Sequence, residues 1–342
     1  MAYTTIDKSS DYFNTKLYTG TGTSPLSITG VGFQPDFLWI KRRNSSGNHR
    51  LTDIVRGVAY QLESSNAEAE KSSGIGSFDS DGWTFNSTGV SFNTSGGTYV
   101  GWNWLAGGTA VSNTQGSITS SVSANTTAGF SIVGYTGTGA NASVGHGLGV
   151  SPDCIIVKRR EDAGRGWWVY HKSLGATKAI YLHDTASSFT NSWLQNTAPT
   201  STVFTLNSNG DTNGSSKTHI AYCFAEKKGY SKFGTYTGNG NTNGTFVYTG
   251  FRPAFVLSKR SSGINSWNIM DNKREGYNPQ NDLLFPDSTN VESNVTDQDI
   301  LSNGFKLRTT GSGRNGSGQT YIYMAFAENP FVTSTGIPCT AR

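Results

Sequence analysis

The chain has 342 residues, a formal net charge of +4 and only 15% charged residues. That length is long for one hydrophobic core and suits two or three domains of about 100 residues each. The charge is too small and too dispersed for a nucleic-acid footprint, and no apolar run approaches the roughly 18 residues that a transmembrane helix needs. The start of the chain also lacks a charged segment followed by an apolar one. We therefore expect no nucleic-acid partner, no membrane insertion, and synthesis in the cytoplasm without a signal peptide.

The composition favours short strands joined by many turns. Glycine contributes 42 residues, aromatic residues make up 12% of the chain, and Ser, Thr and Asn are dense, which is typical of β-structure rather than helix. The 8 Trp, 15 Tyr and 18 Phe supply enough large apolar side chains for a core and argue against disorder. Because the three cysteines, Cys154, Cys223 and Cys339, are widely spaced and odd in number, neither a disulfide framework nor a Cys-based zinc site is expected.

One phrase of about 25 residues occurs three times in the chain. In every copy a Tyr precedes a Pro by 17 residues, and that Pro precedes a Lys by 6 residues. The copies are residues 18–43, 135–160 and 236–260. Two intervals shared by three copies indicate an internal repeat. The repeat of roughly 100 residues is longer than a propeller blade or solenoid unit of about 40 to 50, so each copy predicts a domain.

Taken in chain order, each copy shows the same kinds of strand. An apolar run with a basic end, residues 37–43 in copy one, predicts a buried strand that emerges into solvent. The alternation in residues 98–104 predicts a half-buried closing strand after a Gly/Asn/Ser turn. Residues 107–129 are almost wholly Gly, Ser, Thr, Ala and Asn, which indicates a flexible linker, although Ile118 and Val122 would let part of it lie against a sheet edge. Only residues 227–232 separate copies two and three, so we expect these two to pack closely and copy one to be looser.

These patterns predict an all-β protein of three tandem antiparallel β-sandwich domains, jelly-roll-like in arrangement. The predicted segments are an N-terminal arm (1–17), β-sandwich repeat 1 (18–106), a Ser/Thr/Gly-rich linker (107–129), β-sandwich repeat 2 (130–228), β-sandwich repeat 3 (229–328) and an extended C-terminal tail (329–342). The terminal segments have little to fold on alone, so we expect them to contact partners, and we expect a homo-oligomer.

No catalytic or metal-binding set recurs in the copies. Glu226 and Glu328 end the closing strands of copies two and three and are the tempting pair for a sandwich-fold glycan hydrolase, but copy one has Ala106 there. Four of the five histidines lie in copy two, at spacings that do not suit a metal pair on one strand or helix. We therefore predict no catalytic residue, no metal and no cofactor.

The recurring basic strand ends are one set of candidate surface-binding residues. Arg43, Arg160 and Arg260 end the apolar strands of the three copies. They fit a basic rim for acidic envelope glycans or for a capsid neighbour, and equally a solvated strand end or a cation paired with Asp53 or Asp271.

A second candidate set lies in copy two. Trp167, Trp168, Tyr170 and His171 fall in one alternating strand, in which one Trp ring would face outward. An exposed Trp167 with Tyr170 and His171 would offer a stacking platform for sugar rings. Packing between domains explains the same pattern, and the sequence leaves both interpretations open.

Several blocks of the chain resemble a family of tandem-repeat virion structural proteins of tailed phages, especially marine phages. The blocks, which together span essentially the whole chain, are DYFNTKLYTGTG, GFQPDFLWIKRR, VGHGLGVSPDCIIVKRR, GFRPAFVLSKR, THIAYCFAEKKGYSKFGTYTGNG and AFAENPFVTSTGIPCTAR. Members of that family are described as tail fibres, capsid fibres or structural proteins, and no catalytic residue set belongs to it.

The resemblance implies a non-enzymatic virion structural protein on the particle surface, as a fibre, tail-tip component or capsid decoration. It would act by assembly with other capsid or tail proteins and by host-surface adhesion, with a host-surface glycan as a further ligand. The alternatives are a lectin-like carbohydrate-binding adhesin and, less favoured, a glycan-degrading sandwich enzyme. Because the repeated phrase belongs to every copy, we expect binding specificity in the segments that differ between copies.

Overall fold

A computed structural model of the chain describes residues 3–89 and 91–339. Its named strands pair in antiparallel fashion and form several separate sheets. The prediction of an all-β chain built from antiparallel sandwiches is confirmed. We call the three units that share one strand arrangement modules 1, 2 and 3.

Module 1 contains the first nine strands, preceded by a 3₁₀ turn (Ser9–Asp11). Its strands are β1 (Phe13–Thr19), β2 (Leu26–Thr29), β3 (Phe37–Arg42), β4 (Arg50–Asp53), β5 (Tyr60–Glu63), β6 (Lys71–Ser72), β7 (Ile75–Asp79), β8 (Gly82–Phe85) and β9 (Thr98–Trp104). The larger sheet has the order β1-β9-β3-β4-β5-β6, and the smaller one the order β2-β8-β7.

Module 2 contains the next ten strands and one helical turn, α1 (Gly210–Asn213). Its strands are β10 (Val111–Asn113), β11 (Ser120–Asn125), β12 (Phe130–Thr136), β13 (Ala142–Gly145), β14 (Cys154–Arg159), β15 (Trp167–His171), β16 (Lys178–Tyr181), β17 (Phe189–Thr190), β18 (Val203–Leu206) and β19 (Thr218–Phe224). The larger sheet has the order β10-β11-β12-β19-β14-β15-β16-β17, and β13 pairs with β18.

The stretch predicted as a flexible linker, residues 107–129, supplies two of these strands. Val122 of β11 pairs with Val133 of β12, and Ile118 bridges to Val144. Both apolar side chains are buried, so they anchor an otherwise polar segment to the edge of the sheet. The compositional interpretation as a flexible linker is therefore wrong for these strands, whereas the expected contact with a sheet edge is confirmed.

Module 3 contains the last eight strands. They are β20 (Ser231–Thr237), β21 (Phe246–Tyr248), β22 (Phe251–Arg260), β23 (Trp267–Asp271), β24 (Gln280–Leu283), β25 (Ser293–Leu301), β26 (Gly304–Leu307) and β27 (Thr320–Pro330). Two four-stranded sheets have the orders β20-β27-β22-β23 and β21-β26-β25-β24. The first contains the longest strands, β22 and β27, and we call it the larger sheet of module 3 and the second the smaller sheet.

The repeated phrase has the same structural role in each module. Its first Tyr lies on the entry strand and stacks on a ring of the closing strand. The stacked pairs are Tyr18 with Tyr99 (ring centroids 4.9 Å apart), Tyr135 with His219 (5.0 Å) and Tyr236 with Tyr321 (4.9 Å). The Gly-rich residues that follow are held by a buried Asn, whose side-chain oxygen accepts a backbone N–H. These bonds run from Thr21 to Asn93, from Thr138 to Asn213 and from Asn239 to Asn315.

Each larger sheet is apolar on both faces. One face packs on the module's own smaller sheet, which gives three separate core clusters. The other face belongs to a single central cluster with side chains from all three modules. Its aromatic contacts across the module boundaries include Phe37 with Tyr222 (ring centroids 4.4 Å apart), Trp104 with Phe255 (5.6 Å) and Phe224 with Phe326 (5.9 Å). Module 1 therefore packs against both other modules, and the expectation that it is looser is wrong.

The three boundaries repeat one set of backbone hydrogen bonds in cyclic order. The segment after the apolar strand of each module binds a loop of another: module 1 binds module 3, module 3 binds module 2, and module 2 binds module 1. Between modules 1 and 3, Gly47 N donates to Thr289 O and Glu292 N to Arg43 O. Between modules 3 and 2, Asn265 N donates to Thr185 O and Ser188 N to Ser261 O. Between modules 2 and 1, Arg165 N donates to Ala67 O and Glu70 N to Arg160 O. The chain therefore closes a pseudo-threefold ring on itself.

Two of the three boundaries contain a buried ion pair. Between modules 1 and 2, Asp53 and Arg56 lie 2.6 Å apart with both side chains fully buried, and Tyr222 donates a hydrogen bond to Asp53. Arg56 also pairs with Glu70 at 3.0 Å. Every charge in this buried group thus has an oppositely charged partner, which is the condition under which burial of charge is tolerated.

The boundary between modules 1 and 3 repeats this group. Asp271 and Arg274 lie 2.6 Å apart, both fully buried, and Trp102 Nε1 donates to Asp271 across 3.0 Å. Arg274 also pairs with Glu292 at 2.8 Å.

The boundary between modules 2 and 3 lacks the equivalent charges. His171 stands at the position of Asp53, Leu174 three residues later at the position of Arg56, and Ser188 at that of Glu70. His171 Nε2 lies 3.1 Å from the carbonyl oxygen of Tyr323. Acid and base are absent together at this boundary, so neither charge is left buried alone.

The terminal segments differ from their predicted form. Most of the predicted N-terminal arm belongs to the fold, because β1 begins at Phe13 and Ile6 is buried in the central cluster. In the predicted tail, Val332 bridges to Pro338 and Ser334 N donates to Asp7, so residues 331–339 fold back towards the other terminus instead of running on as an extended strap. Residues 1, 2 and 340–342 of the two predicted segments lie outside the described residues.

We predict that Arg274→Leu lowers the free energy of unfolding by about 3–5 kcal/mol, because it leaves Asp271 buried without its cation. The double variant Arg274→Leu with Asp271→His introduces two of the three residues of the third boundary, while Glu292 keeps its pair with Arg43, and it should recover part of that loss. Urea unfolding measures both. Lys8→Ala, which removes an exposed ion pair, is the control and should change stability by less than about 0.5 kcal/mol. Equal losses in the single and double variants would contradict the pairing argument.

Candidate functional site

The predicted stacking residues of copy two are all buried. Trp167 lies in the central core, where its Nε1 donates to the carbonyl of Glu63 across 2.9 Å. Trp168 lies on the opposite face, inside module 2. Tyr170 and His171 are 5% and 3% exposed. The prediction of an exposed sugar platform here is wrong, because the central core covers the face of β15 that the sequence left free.

The three predicted basic residues are partly buried and engaged. Arg160 makes a bidentate pair with Glu70, at 3.0 and 2.7 Å. Arg43 contacts Asp282 at 3.0 Å and Glu292 at 2.7 Å. Both are therefore paired cations, although none of their partners is the Asp53 or Asp271 that the sequence suggested.

Arg260 and the proposed acidic partners behave differently. Arg260 Nη2 donates to Gln319 across 2.6 Å, a contact within module 3. Asp53 and Asp271, which the sequence suggested as partners of the basic ends, pair with Arg56 and Arg274 instead. Their partners lie only three residues away in the chain, in a turn that the repeat pattern did not single out.

A lysine precedes each basic end and is fully buried. Lys41, Lys158 and Lys259 are all 0% exposed. Each ammonium donates to a backbone carbonyl: Lys41 to Arg42 O, Lys158 to Arg159 O and Lys259 to Thr185 O. Desolvation lowers the pKa of each of these lysines to about 8. The recurring lysines therefore bind backbone carbonyls at the ends of the buried strands, and Lys41 and Lys259 do so across a module boundary as well; they do not form a basic rim.

The two carboxylates considered for catalysis are both in ion pairs. Glu226 contacts Lys172 at 2.8 Å and Lys232 at 2.6 Å, and Glu328 contacts Arg252 at 2.6 Å. Partial burial acts to raise the pKa of Glu226, but the hydrogen bonds from Lys172 and Lys232 outweigh it and the net pKa is lowered. A general acid of a glycosidase requires the opposite shift.

The histidines and cysteines have no shared site. Burial lowers the pKa of His171 and of His219 to about 4, and all three cysteines are free. Within residues 3–89 and 91–339, no group of three or more His, Cys, Asp or Glu side chains is arranged to hold a metal ion.

A polar cleft of about 250 Å³ lies at the boundary of modules 1 and 2. Its lining includes Val55, Arg56, Ser112, Thr119, Ser121, Gly134, Thr136, Arg160 and Thr218. Ser112 pairs with Ser121 across β10 and β11, and Ser121 pairs with Gly134 of β12, so short side chains form a shallow floor. Because Arg160 and Arg56 are already paired with carboxylates, the cleft offers mainly hydroxyl groups to a ligand. Sequence reasoning missed this cleft because one wall comes from the supposed linker.

The outer face of the smaller sheet in module 3 carries exposed aromatic side chains. On β21, Phe246 is 45% and Tyr248 is 57% exposed, while Val247 between them is buried. The equivalent outward positions are Ser27 and Thr29 in module 1 and Ser143 and Gly145 in module 2, since Ile28, Val144 and Val247 occupy the same place opposite a buried aromatic residue. This aromatic surface is specific to module 3.

The chain is thus a β-sandwich protein whose modules form an internally closed ring. It belongs to the domain family of unknown function DUF7483, whose model matches residues 8–330. A search of curated proteins finds no match. No helix among the described residues is long and apolar enough to cross a membrane.

We predict that the three buried lysines make stability rise with pH above pH 8. Their ordinary pKa is 10.5 and their folded pKa about 8. Between these values the unfolded chain binds more protons than the folded chain, so the free energy of unfolding increases with pH. Below pH 8 the lysines are charged in both states, and burial of the charged ammonium groups lowers the free energy of unfolding by its full amount. The measurement should stop near pH 10, because tyrosines whose pKa is raised by burial, such as Tyr18, give the opposite slope above it.

Lys259→Met tests this directly by chemical denaturation from pH 7 to pH 10. The unfolding free energy of the parent minus that of the variant should increase between pH 8 and pH 10. Lys178→Met, at an exposed position on β16, is the control and should give a constant difference. A constant difference for Lys259→Met would show that the buried ammonium stays charged throughout this range.

Proposed function

We propose that the chain is a non-enzymatic structural protein of a bacteriophage virion, displayed on the particle surface as a fibre, tail-tip component or capsid decoration. It acts by assembly with other virion proteins and by adhesion to the host surface. The resemblance of the repeated blocks suggested this role, and the arrangement of the charged residues supports it.

The observation that carries the proposal is that the recurring polar residues form contacts within the molecule. The repeated Lys, the buried Asp–Arg pairs and the Asn-held turns all serve the module boundaries and the entry loops. The two carboxylates considered for general acid–base chemistry, Glu226 and Glu328, are held in ion pairs. A rigid closed body whose outer surface differs from module to module suits display and contact better than turnover.

The folded-back termini support attachment to other virion proteins. In the tail, Phe331 is 39% and Ile337 is 63% exposed. Because the modules already cover one another's inner faces around the ring, further chains would attach through exposed side chains such as these. Homo-oligomerisation, which we also propose, would use these features and not an open module edge.

The second candidate function is that of a lectin-like adhesin. It is favoured by the exposed aromatic residues on β21 and by the hydroxyl-lined cleft between modules 1 and 2. A glycan-degrading activity is the least supported alternative, because it requires a free carboxylate pair.

We predict that antibody against this chain labels intact purified virions. In phage carrying Phe331→Ser with Ile337→Ser, the amount of chain per particle should fall at least several-fold while the protein remains folded, because an apolar attachment surface is lost. Immunogold imaging and immunoblots of purified particles measure both. Ile264→Ser, at an apolar position 71% exposed elsewhere, is the matched control. A chain found only in the soluble lysate, with unlabelled particles, would refute the virion assignment.

A further inference from the structure

The exposed aromatic residues of module 3 form a small flat platform. Phe246 and Tyr248 are two residues apart on one strand, so their side chains leave the same face of the sheet about 6.6 Å apart. Gly304 lies directly opposite Tyr248 in the register. A ring atom of Phe246 lies 3.1 Å from where a Cβ on Gly304 would be, so the missing side chain lets the ring lie low against β26.

Tyr3 extends this platform beyond the sheet. Its hydroxyl donates to the carbonyl of Gly250 across 3.0 Å. The hydroxyls of Tyr3 and Tyr248 lie 3.1 and 3.6 Å from where a Cβ on Gly250 would be, so the two phenols lie side by side. We call Tyr3, Phe246 and Tyr248 the aromatic platform.

Two lysines flank the aromatic platform. Lys228 lies 4.5 Å from the ring centroid of Tyr3, and Lys306 is the cross-strand partner of Phe246. Neither forms a salt bridge within residues 3–89 and 91–339. Asp299, which faces Lys306 in the register, is 3.5 Å from Arg308 instead. The platform therefore combines apolar rings with two ammonium groups that form no salt bridge among the described residues.

These features match an anionic polysaccharide. Sugar rings have apolar C–H faces that stack on aromatic side chains, and their hydroxyls hydrogen-bond phenol groups. Ammonium groups beside the rings would pair with the carboxylates of uronic acids. A platform of three side chains is small for a stable protein interface, which buries about 800 Å² on each partner, but it suffices for a few sugar units.

We propose that the aromatic platform is a binding site for a polysaccharide that contains uronic acids, with the sugar rings stacked on Phe246 and Tyr248 and the carboxylates paired with Lys228 and Lys306. This deepens the proposed adhesive function and rests on it. Each contact is weak alone, and many copies on one particle would multiply it.

Affinity electrophoresis of the full chain tests the site, with alginate as the polyuronate and dextran as the neutral polysaccharide. Alginate should retard the parent, and Phe246→Ala with Tyr248→Ala should weaken that binding at least ten-fold. Tyr277→Ala, at a tyrosine 67% exposed outside the platform, should bind like the parent. Circular dichroism checks that each variant is folded. We expect all of them to fold, because the substituted side chains are exposed.

The lysines are tested separately from the rings. Lys228→Gln with Lys306→Gln should weaken alginate binding and remove its salt dependence, because the remaining contacts are stacking contacts. Equal retardation by dextran and alginate, unaffected by the lysine substitutions, would overturn the anionic specificity. Unchanged alginate binding in the double aromatic variant, or no binding by the parent, would overturn the site itself. Either failure would leave the immunolabelling result unaffected, so the site and the virion assignment are judged independently.

Discussion

Each of the three larger sheets is apolar on both faces, and its own smaller sheet covers only one of them. The uncovered face carries large rings such as Trp102, Trp104 and Phe326. Exposure of these rings would leave a large apolar patch in water. Closure of three such sheets around one core removes all three faces from solvent at once. The pseudo-threefold ring follows from this constraint, and the boundaries, the buried charges and the position of the termini depend on it.

The buried charges show how the ring tolerates polar groups next to that core. At two boundaries a carboxylate, a guanidinium and a second carboxylate form a complete group. At the third, His171, Leu174 and Ser188 replace all three members. Partial replacement would leave one charge buried alone at a cost of several kcal/mol. The same argument explains why Lys259 is tolerated only where backbone carbonyls surround its ammonium.

The sequence predicted the all-β class and the repeated strands, because alternation and turn residues are local signals. It did not reveal the central core, because contact between modules leaves no local periodicity. One signal was available: Trp167 to His171 is an unbroken run of large side chains, and a strand buried on both faces has such a run. The strands in residues 107–129 were missed for the opposite reason, since few of their residues are apolar. The platform on β21 became visible only when the registers aligned Phe246 and Tyr248 with serines, threonine and glycine in the other modules.

A closed ring within one chain also constrains where function can evolve. Every module must keep its inner face, because a change there breaks contacts with the next module. It must also keep its Asn-held turn, because that Asn fixes the module's own entry loop. The outward positions of the smaller sheets make no contact with the central core and vary more freely, as Ser27, Ser143 and Phe246 occupy comparable places with different chemistry. One chain that supplies all three modules can alter a single outer face, whereas a homotrimer of one module would change three at once. The aromatic platform on module 3 alone is the kind of asymmetry that this covalent arrangement permits.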